Sequence, residues 1–190
     1  MERLLFALVA AALVSPCSGD YTDFCHGQPC PEYTVLETND HFEKRSYVAT
    51  SWISTTLDGT EMFQILKAKG KLETFWKEAE LPDSWPILIT RREAGGGDAL
   101  SLSWFLPPGF EPQFSDTSVH LERRDAATVY VRTYSGFPST SSGLENGKIL
   151  RDALTEAGIP FDSQTSTGAF FESLFSISFE RRNEIWLYGS

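Results

Sequence analysis

Polar and apolar positions alternate along much of the chain, and two stretches switch to a helical period. Between residues 33 and 56, Tyr33, Val35 and Glu37 and then Phe42, Tyr47, Trp52 and Ile53 are rich in strand formers, interrupted by the polar Thr38-Asn39-Asp40. This predicts two strands joined by a turn. Asp58-Gly59-Thr60 then introduces a stretch in which Met62, Ile65, Leu66, Leu72, Trp76 and Ala79 fall near one face at helical spacing, with Gly70 in the middle and Pro82 as the stop. A helix is expected there. Residues 85–92 and 100–106 read as strands around Gly95-Gly96-Gly97-Asp98, a hairpin-like connection. Pro107-Pro108-Gly109 breaks the chain near its middle.

The order then repeats. Residues 119–123 and 128–134 read as strands, a Ser- and Gly-rich turn over 135–143 leads into a helix over 144–157, and Gly158 and Pro160 end it. Strands over 168–175 and 184–188 close the chain. Each half thus reads strand, strand, helix, strand, strand, with halves of about 31–108 and 109–190. Phe42-Glu43-Lys44-Arg45 is faintly echoed by Leu121-Glu122-Arg123-Arg124. A duplicated unit of this kind implies an α+β fold: a distorted, mainly antiparallel β-barrel with two flanking helices in one domain.

The first 19 residues stand outside this pattern. Met1-Glu2-Arg3 precedes an uncharged run over residues 4–14 and the small-residue zone Ser15-Pro16-Cys17-Ser18-Gly19, the anatomy of a signal peptide cleaved after Gly19. The apolar run is too short for a membrane span, and no later stretch is long enough. The expectation is a secreted, extracellular protein made of residues 20–190. Its two remaining cysteines, in Cys25-His26-Gly27-Gln28-Pro29-Cys30, read as a local disulfide in an oxidising compartment. A metal site of Cys25, His26 and Cys30 is disfavoured by spacing that matches no zinc pattern. The formal net charge is -10, which argues against nucleic acid and anionic lipid as partners.

Sequence motifs for catalysis are missing: no Gly-x-Ser-x-Gly elbow, no His-Glu-x-x-His, no phosphate loop. The chain has 3 histidines, and the acids Glu43, Glu122, Glu172 and Glu180 carry no spacing that pairs them. A binding protein is expected, not an enzyme. Aromatic residues make up 13% of the chain, and the segment 170–179 is more apolar than the inner face of one strand requires, which suggests a pocket lining.

Cys30-Pro31-Glu32-Tyr33-Thr34-Val35-Leu36-Glu37, Phe42-Glu43-Lys44-Arg45-Ser46-Tyr47-Val48-Ala49-Thr50-Ser51-Trp52, Val129-Tyr130-Val131-Arg132-Thr133-Tyr134-Ser135-Gly136-Phe137 and the ending Arg182-Asn183-Glu184-Ile185-Trp186-Leu187 resemble, in order, the SOUL family of haem-binding proteins from about Pro31 onward. The resemblance implies a distorted barrel with two helices and the binding of haem or a related tetrapyrrole on a hydrophobic surface beside the first helix and a late loop. By position it points to Phe63 and Leu66 on the helix and to Phe170, Phe171 and Phe175 before the loop. Met62, Lys67 and Lys69 are added as neighbours, the lysines as partners for the ligand's carboxylates. Where relatives carry a proposed axial histidine this chain has Ser46, which leaves His41 as the candidate iron ligand. The late loop also departs from the family pattern, reading Leu174-Phe175-Ser176-Ile177-Ser178-Phe179-Glu180. The alternative to a haem binder is a protein-interaction module that has kept the fold without the ligand.

Overall fold

Alternation along the strands sends successive side chains to opposite faces of a sheet, and here both faces are covered. A computed structural model describes residues 24–95, 97–114, 117–172 and 181–190. The expected signal peptide, Gly96 and the late loop over 174–180, with Phe175, lie outside them. Strands β1 (Tyr33–Thr38), β2 (Glu43–Tyr47), β3 (Thr50–Thr56), β4 (Ile87–Ala94), β5 (Gly97–Leu106), β6 (Val119–Arg124), β7 (Ala127–Ser135), β8 (Thr165–Phe170) and β9 (Arg182–Tyr188), with helices α1 (Met62–Glu78) and α2 (Thr140–Glu156), follow the predicted order with one additional strand before α1. They form a nine-stranded sheet ordered β1-β2-β7-β9-β8-β4-β5-β3-β6, antiparallel throughout.

From β2 to β6 this order reads alike from either side of the β8–β4 seam, as a duplicated unit demands. At the seam Thr90 faces Thr167 in register, and their buried hydroxyls are 3.0 Å apart. The first strand of each unit is exchanged: β2 pairs with β7 of the second half, and β6 with β3 of the first. That exchange explains one departure from expectation. Residues 33–56 form three strands and not two, because the chain leaves the sheet at Val48 and Ala49 to cross from one half to the other. The helix α2 also starts earlier than its apolar period suggests. Ser139 caps it, accepting from the Ser142 backbone N–H while the Ser142 hydroxyl accepts from the Ser139 backbone N–H. Likewise, β4 begins only after the cis Trp85–Pro86 bond.

The sheet curls. Arg124 on β6 donates to the Tyr188 hydroxyl on β9 at 2.9 Å, although these strands lie five places apart in the sheet. The result is the distorted barrel expected from the sequence. Its concave face is filled by Tyr47, Trp52, Leu88, Phe105, Val129, Val131, Ala169, Phe171 and Trp186, with Cys25 packed against them. Cys25 is bonded to Cys30 with Cα atoms 6.3 Å apart. The disulfide consumes both thiols of the metal alternative, and the loop seats Phe24 edge-on against Phe171 at 4.8 Å.

The concave face also buries charge. Arg45 grips Glu184 with two bonds, Nη1 to Oε2 at 3.0 Å and Nη2 to Oε1 at 3.1 Å, and reaches Glu43 and the Tyr47 hydroxyl. Glu184 also accepts from Trp186 Nε1 at 2.7 Å and Arg182 Nε at 2.8 Å. Burial works to raise the Glu184 carboxyl, but the Arg45 and Arg182 charges and these hydrogen bonds hold it below the ordinary 4.5. Burial likewise pushes Tyr33, which lies against Arg45, up to about 12. On the convex face α1 packs Leu72, Phe75 and Trp76 onto β3, β5 and β6, and α2 packs Leu150 and Leu154 onto β7 and β9.

Candidate functional site

Two helices cover the two wings of the convex face and leave its centre open. Over the β4–β8 seam lies a cleft of about 550 Å³, within the range of small-molecule sites. Met62 and Ile65 from the first turns of α1 form one wall, Ile89 of β4, Gly168 and Phe170 of β8 and Ile185 of β9 the floor, and α2 the other wall. Phe137 and Pro138, just before α2, close one end. Gly168 gives the floor its shape: a Cβ there would come within 3.1 Å of the Phe170 ring, so the missing side chain lets that ring fold back along its own strand.

The polar lining includes Thr60, Ser139, Thr140, Ser166 and Thr167, and its charges are of both signs, with Glu93 and Asp152 the acids. Arg91, Lys148 and Arg151 supply positive charge. Arg91 is bonded to Asp98 at 2.7 Å and Lys148 to Asp152 at 2.5 Å, but both pairs are largely exposed. Such pairs are worth little and exchange partners readily. Arg151 donates to the Ser163 carbonyl. Behind Phe137 the buried Arg181 guanidinium lies 5.2 Å over the ring. Its Nε and Nη2 make no hydrogen bond among the described residues, and the nearest Glu172 oxygen is 4.0 Å from Nε. Tyr134 borders the cleft, and burial raises its hydroxyl above the ordinary 10.0, which keeps it a neutral donor.

The residues singled out from sequence separate in space. Met62 and Phe170 line the cleft. Phe63 is 72% exposed and points away from it. Leu66 is half-buried outside the lining. Lys67 faces Asp58 at 3.6 Å, and Lys69 is bonded to Glu73 and lies 5.9 Å from the Trp104 ring. Phe171 turns to the concave core. His41 sits exposed in the β1–β2 turn, where its backbone N–H bonds Asn39 Oδ1 at 2.9 Å and its carbonyl accepts from Arg132. The cations at the cleft were not singled out from sequence, since Arg91, Lys148 and Arg151 are brought together only by the sheet order.

Haem is the group to test against this lining. Its flat apolar ring matches the isoleucine and phenylalanine floor, and its carboxylates match the arginines and lysine at the edge. Among the described lining residues, Met62 has the atom type best known as an iron ligand. Among the described residues no group of three His, Cys, Asp and Glu side chains is placed to hold a metal ion by itself. Of the acids considered for catalysis, Glu43 is tied to Arg45 and Glu122 to Arg124. Glu180 lies outside the described residues.

Similarity to known proteins bears on the same point. Heme-binding protein 2 of Homo sapiens is 27% identical over 164 residues, covering 77% of this chain and 77% of that protein. Heme-binding protein 2 of Mus musculus is 26% identical over 162 residues, again covering 77% of each. Among solved structures, the C-terminal domain of EcmrR superposes with a TM-score of 0.59 at 11% identity, covering 77% of this chain and 95% of that one, a likeness of fold. Residues 28–188 match the SOUL heme-binding protein family, and so the chain belongs to that family.

Proposed function

We propose that the protein binds haem or a related flat tetrapyrrole in the cleft over the β4–β8 seam. The observation that carries this is the open, apolar cleft between the helices, edged by Arg91, Lys148 and Arg151. Ile65, Ile89, Phe170 and Ile185 hold the ring by apolar contact, while the edge cations meet its carboxylates. When bound, haem supplies an iron centre open to ligation and redox chemistry, and the protein's part is to seat the ring and limit water around it. Within the cleft the Met62 thioether would be the group to ligate the iron, whereas His41, in the β1–β2 turn, is not part of its lining. The signal-peptide pattern of residues 1–19 and the Cys25–Cys30 disulfide support secretion as the setting. Among the described residues no helix is long and apolar enough to cross a membrane.

The test is a titration of the purified protein with haemin, read as the Soret band, alongside the variants R91Q/K148Q, K67Q/K69Q and H41A. A saturable one-site shift that weakens in R91Q/K148Q and persists in the other two supports the proposal. Absence of a saturable shift in the unaltered protein overturns it in favour of an interaction module, for which the exposed Phe63, Phe137 and Leu144 would be the contact surface. A shift abolished by H41A alone moves the ligand away from the cleft.

A further inference from the structure

The wall that α2 presents to the cleft contains Gly143, in the first turn of this 17-residue helix, and Gly147, one turn further in. Glycine is among the least favourable helix residues, because it loses the most backbone freedom on folding and packs nothing. Neither position needs one for conformation: positive φ angles occur at Gly27, Gly97, Gly109, Gly136 and Gly158, not here. Neither needs one for packing. A Cβ on Gly147 would meet only Ile185 Cγ2 at 3.9 Å, and one on Gly143 only the Tyr134 hydroxyl at 4.0 Å, both ordinary contact distances. The fold would therefore accept alanine at both sites and gain helix stability.

What the two glycines do have in common is the cleft. Among the α2 residues that line the cleft, Thr140, Leu144, Lys148 and Arg151 included, these two positions alone leave bare backbone facing the space above Ile185 and opposite Met62 and Ile65. The helix α1 provides the contrast. A Cβ on its Gly70 would likewise meet nothing within 4 Å, yet Gly70 is not part of the cleft lining.

We infer that Gly143 and Gly147 are specificity-determining residues that keep the α2 wall thin enough for a broad planar ligand to slide between the helices. This rests on the ligand proposed above and adds what selects it: the cleft admits a flat ring edge against bare helix backbone, and stability of α2 is given up to keep that edge clear. One added methyl in a close-fitting apolar site changes affinity by roughly tenfold or more.

The experiment compares the purified protein with G143A/G147A and with G70A as control, measuring the thermal midpoint and the affinities for haemin and for metal-free protoporphyrin IX. Both variants are expected to melt higher than the parent, by a few degrees. Affinity for both porphyrins is expected to fall roughly tenfold or more in G143A/G147A and to stay unchanged in G70A. Affinity in G143A/G147A within twofold of the parent overturns the inference while leaving the proposed ligand intact. A lower melting point in G143A/G147A also overturns it, since the glycines would then serve the fold. If the unaltered protein binds neither porphyrin, the proposed ligand itself fails and the inference falls with it, an outcome recognised before any variant is measured.

Discussion

Ala169 on β8 and Phe171 just beyond its end turn into the concave core, while Ser166, Gly168 and Phe170 turn toward the helices. One stretch of chain thus feeds two surfaces of opposite character. The concave surface is closed: aromatic rings fill it, and its buried Arg45 and Glu184 satisfy one another and their neighbours. The convex surface is closed only at its wings, where α1 and α2 pack, and stays open at the seam. There Lys148 is exposed and Arg91 and Arg151 are half-buried, each already holding a protein partner, and outside the lining, behind Phe137, the buried Arg181 keeps two nitrogens without a hydrogen bond among the described residues. Buried charge that is mutually satisfied marks the face that holds the fold, and charge paired near solvent marks the face that a ligand can reach.

If the two faces are separable, changes to the concave side should alter stability and spare binding. The largest effect is expected for E184Q, which takes from the buried Arg45 its fully buried counter-charge and leaves only Glu43 and the Tyr47 hydroxyl; it should cost about 3 kcal/mol in urea unfolding. The same residue sets an acid limit. Glu184 and Glu122 have carboxyls below the ordinary 4.5 in the folded protein. Their contribution is therefore complete above that value and is lost as pH falls through the lower folded values. The urea midpoint should hold steady from neutral pH down to about 5 and then drop, and E184Q should flatten part of that drop. Next comes C25S/C30S, which opens a short loop and should cost roughly 2 kcal/mol while leaving haemin affinity within twofold of the parent. Haemin binding that collapses with the disulfide would break the separation of the two faces.

On the cleft side the signs reverse. F137A removes a ring that is 62% exposed, so unfolding should change by less than about 0.5 kcal/mol, whereas haemin affinity should fall roughly tenfold, equivalent to about 1.4 kcal/mol. The smallest effect sharpens the comparison at a residue that serves both sides. Ser139 caps α2 and also borders the cleft, and S139A should lower stability by about 1 kcal/mol with a modest loss of affinity from a loosened wall. An S139A protein that is less stable and binds haemin as before would place the cap wholly with the fold.

The fold was legible because its signals are local. Apolar alternation, Pro and Gly punctuation and the repeated order of elements are each readable within a dozen residues, and the Cys25–Cys30 bond spans only five. The cleft was not, because it is assembled at the seam from segments far apart in the chain. Met62 and Phe170 were named from sequence and line it, but the alternation of a single strand sends Phe171 to the opposite face. On α1 nearness in sequence groups the lysines, whereas helical rotation carries Lys67 toward Asp58 and Lys69 toward Trp104. Arg91 has no local signal, and Gly147 has only its spacing from Gly143: an arginine near a hairpin and a glycine in a helix gain meaning only when β4 and α2 face each other. The doubled i, i+4 glycine spacing was the one trace in the sequence that a helix face had been kept bare.

The exchange of β2 and β6 has a consequence for dissection. The Pro107-Pro108-Gly109 break looks like a place to divide the chain into two independent pieces, yet the first piece would carry off the β1–β2 pair that joins β7 and the second would carry off β6, which joins β3. Cut there, the two fragments resemble the arms of a swapped dimer more than two domains: each exposes the strand edge its partner covers, and each restores the other by mutual strand donation. The cleft lies where the two arms meet, so a ligand seated in it would act as a clasp between them.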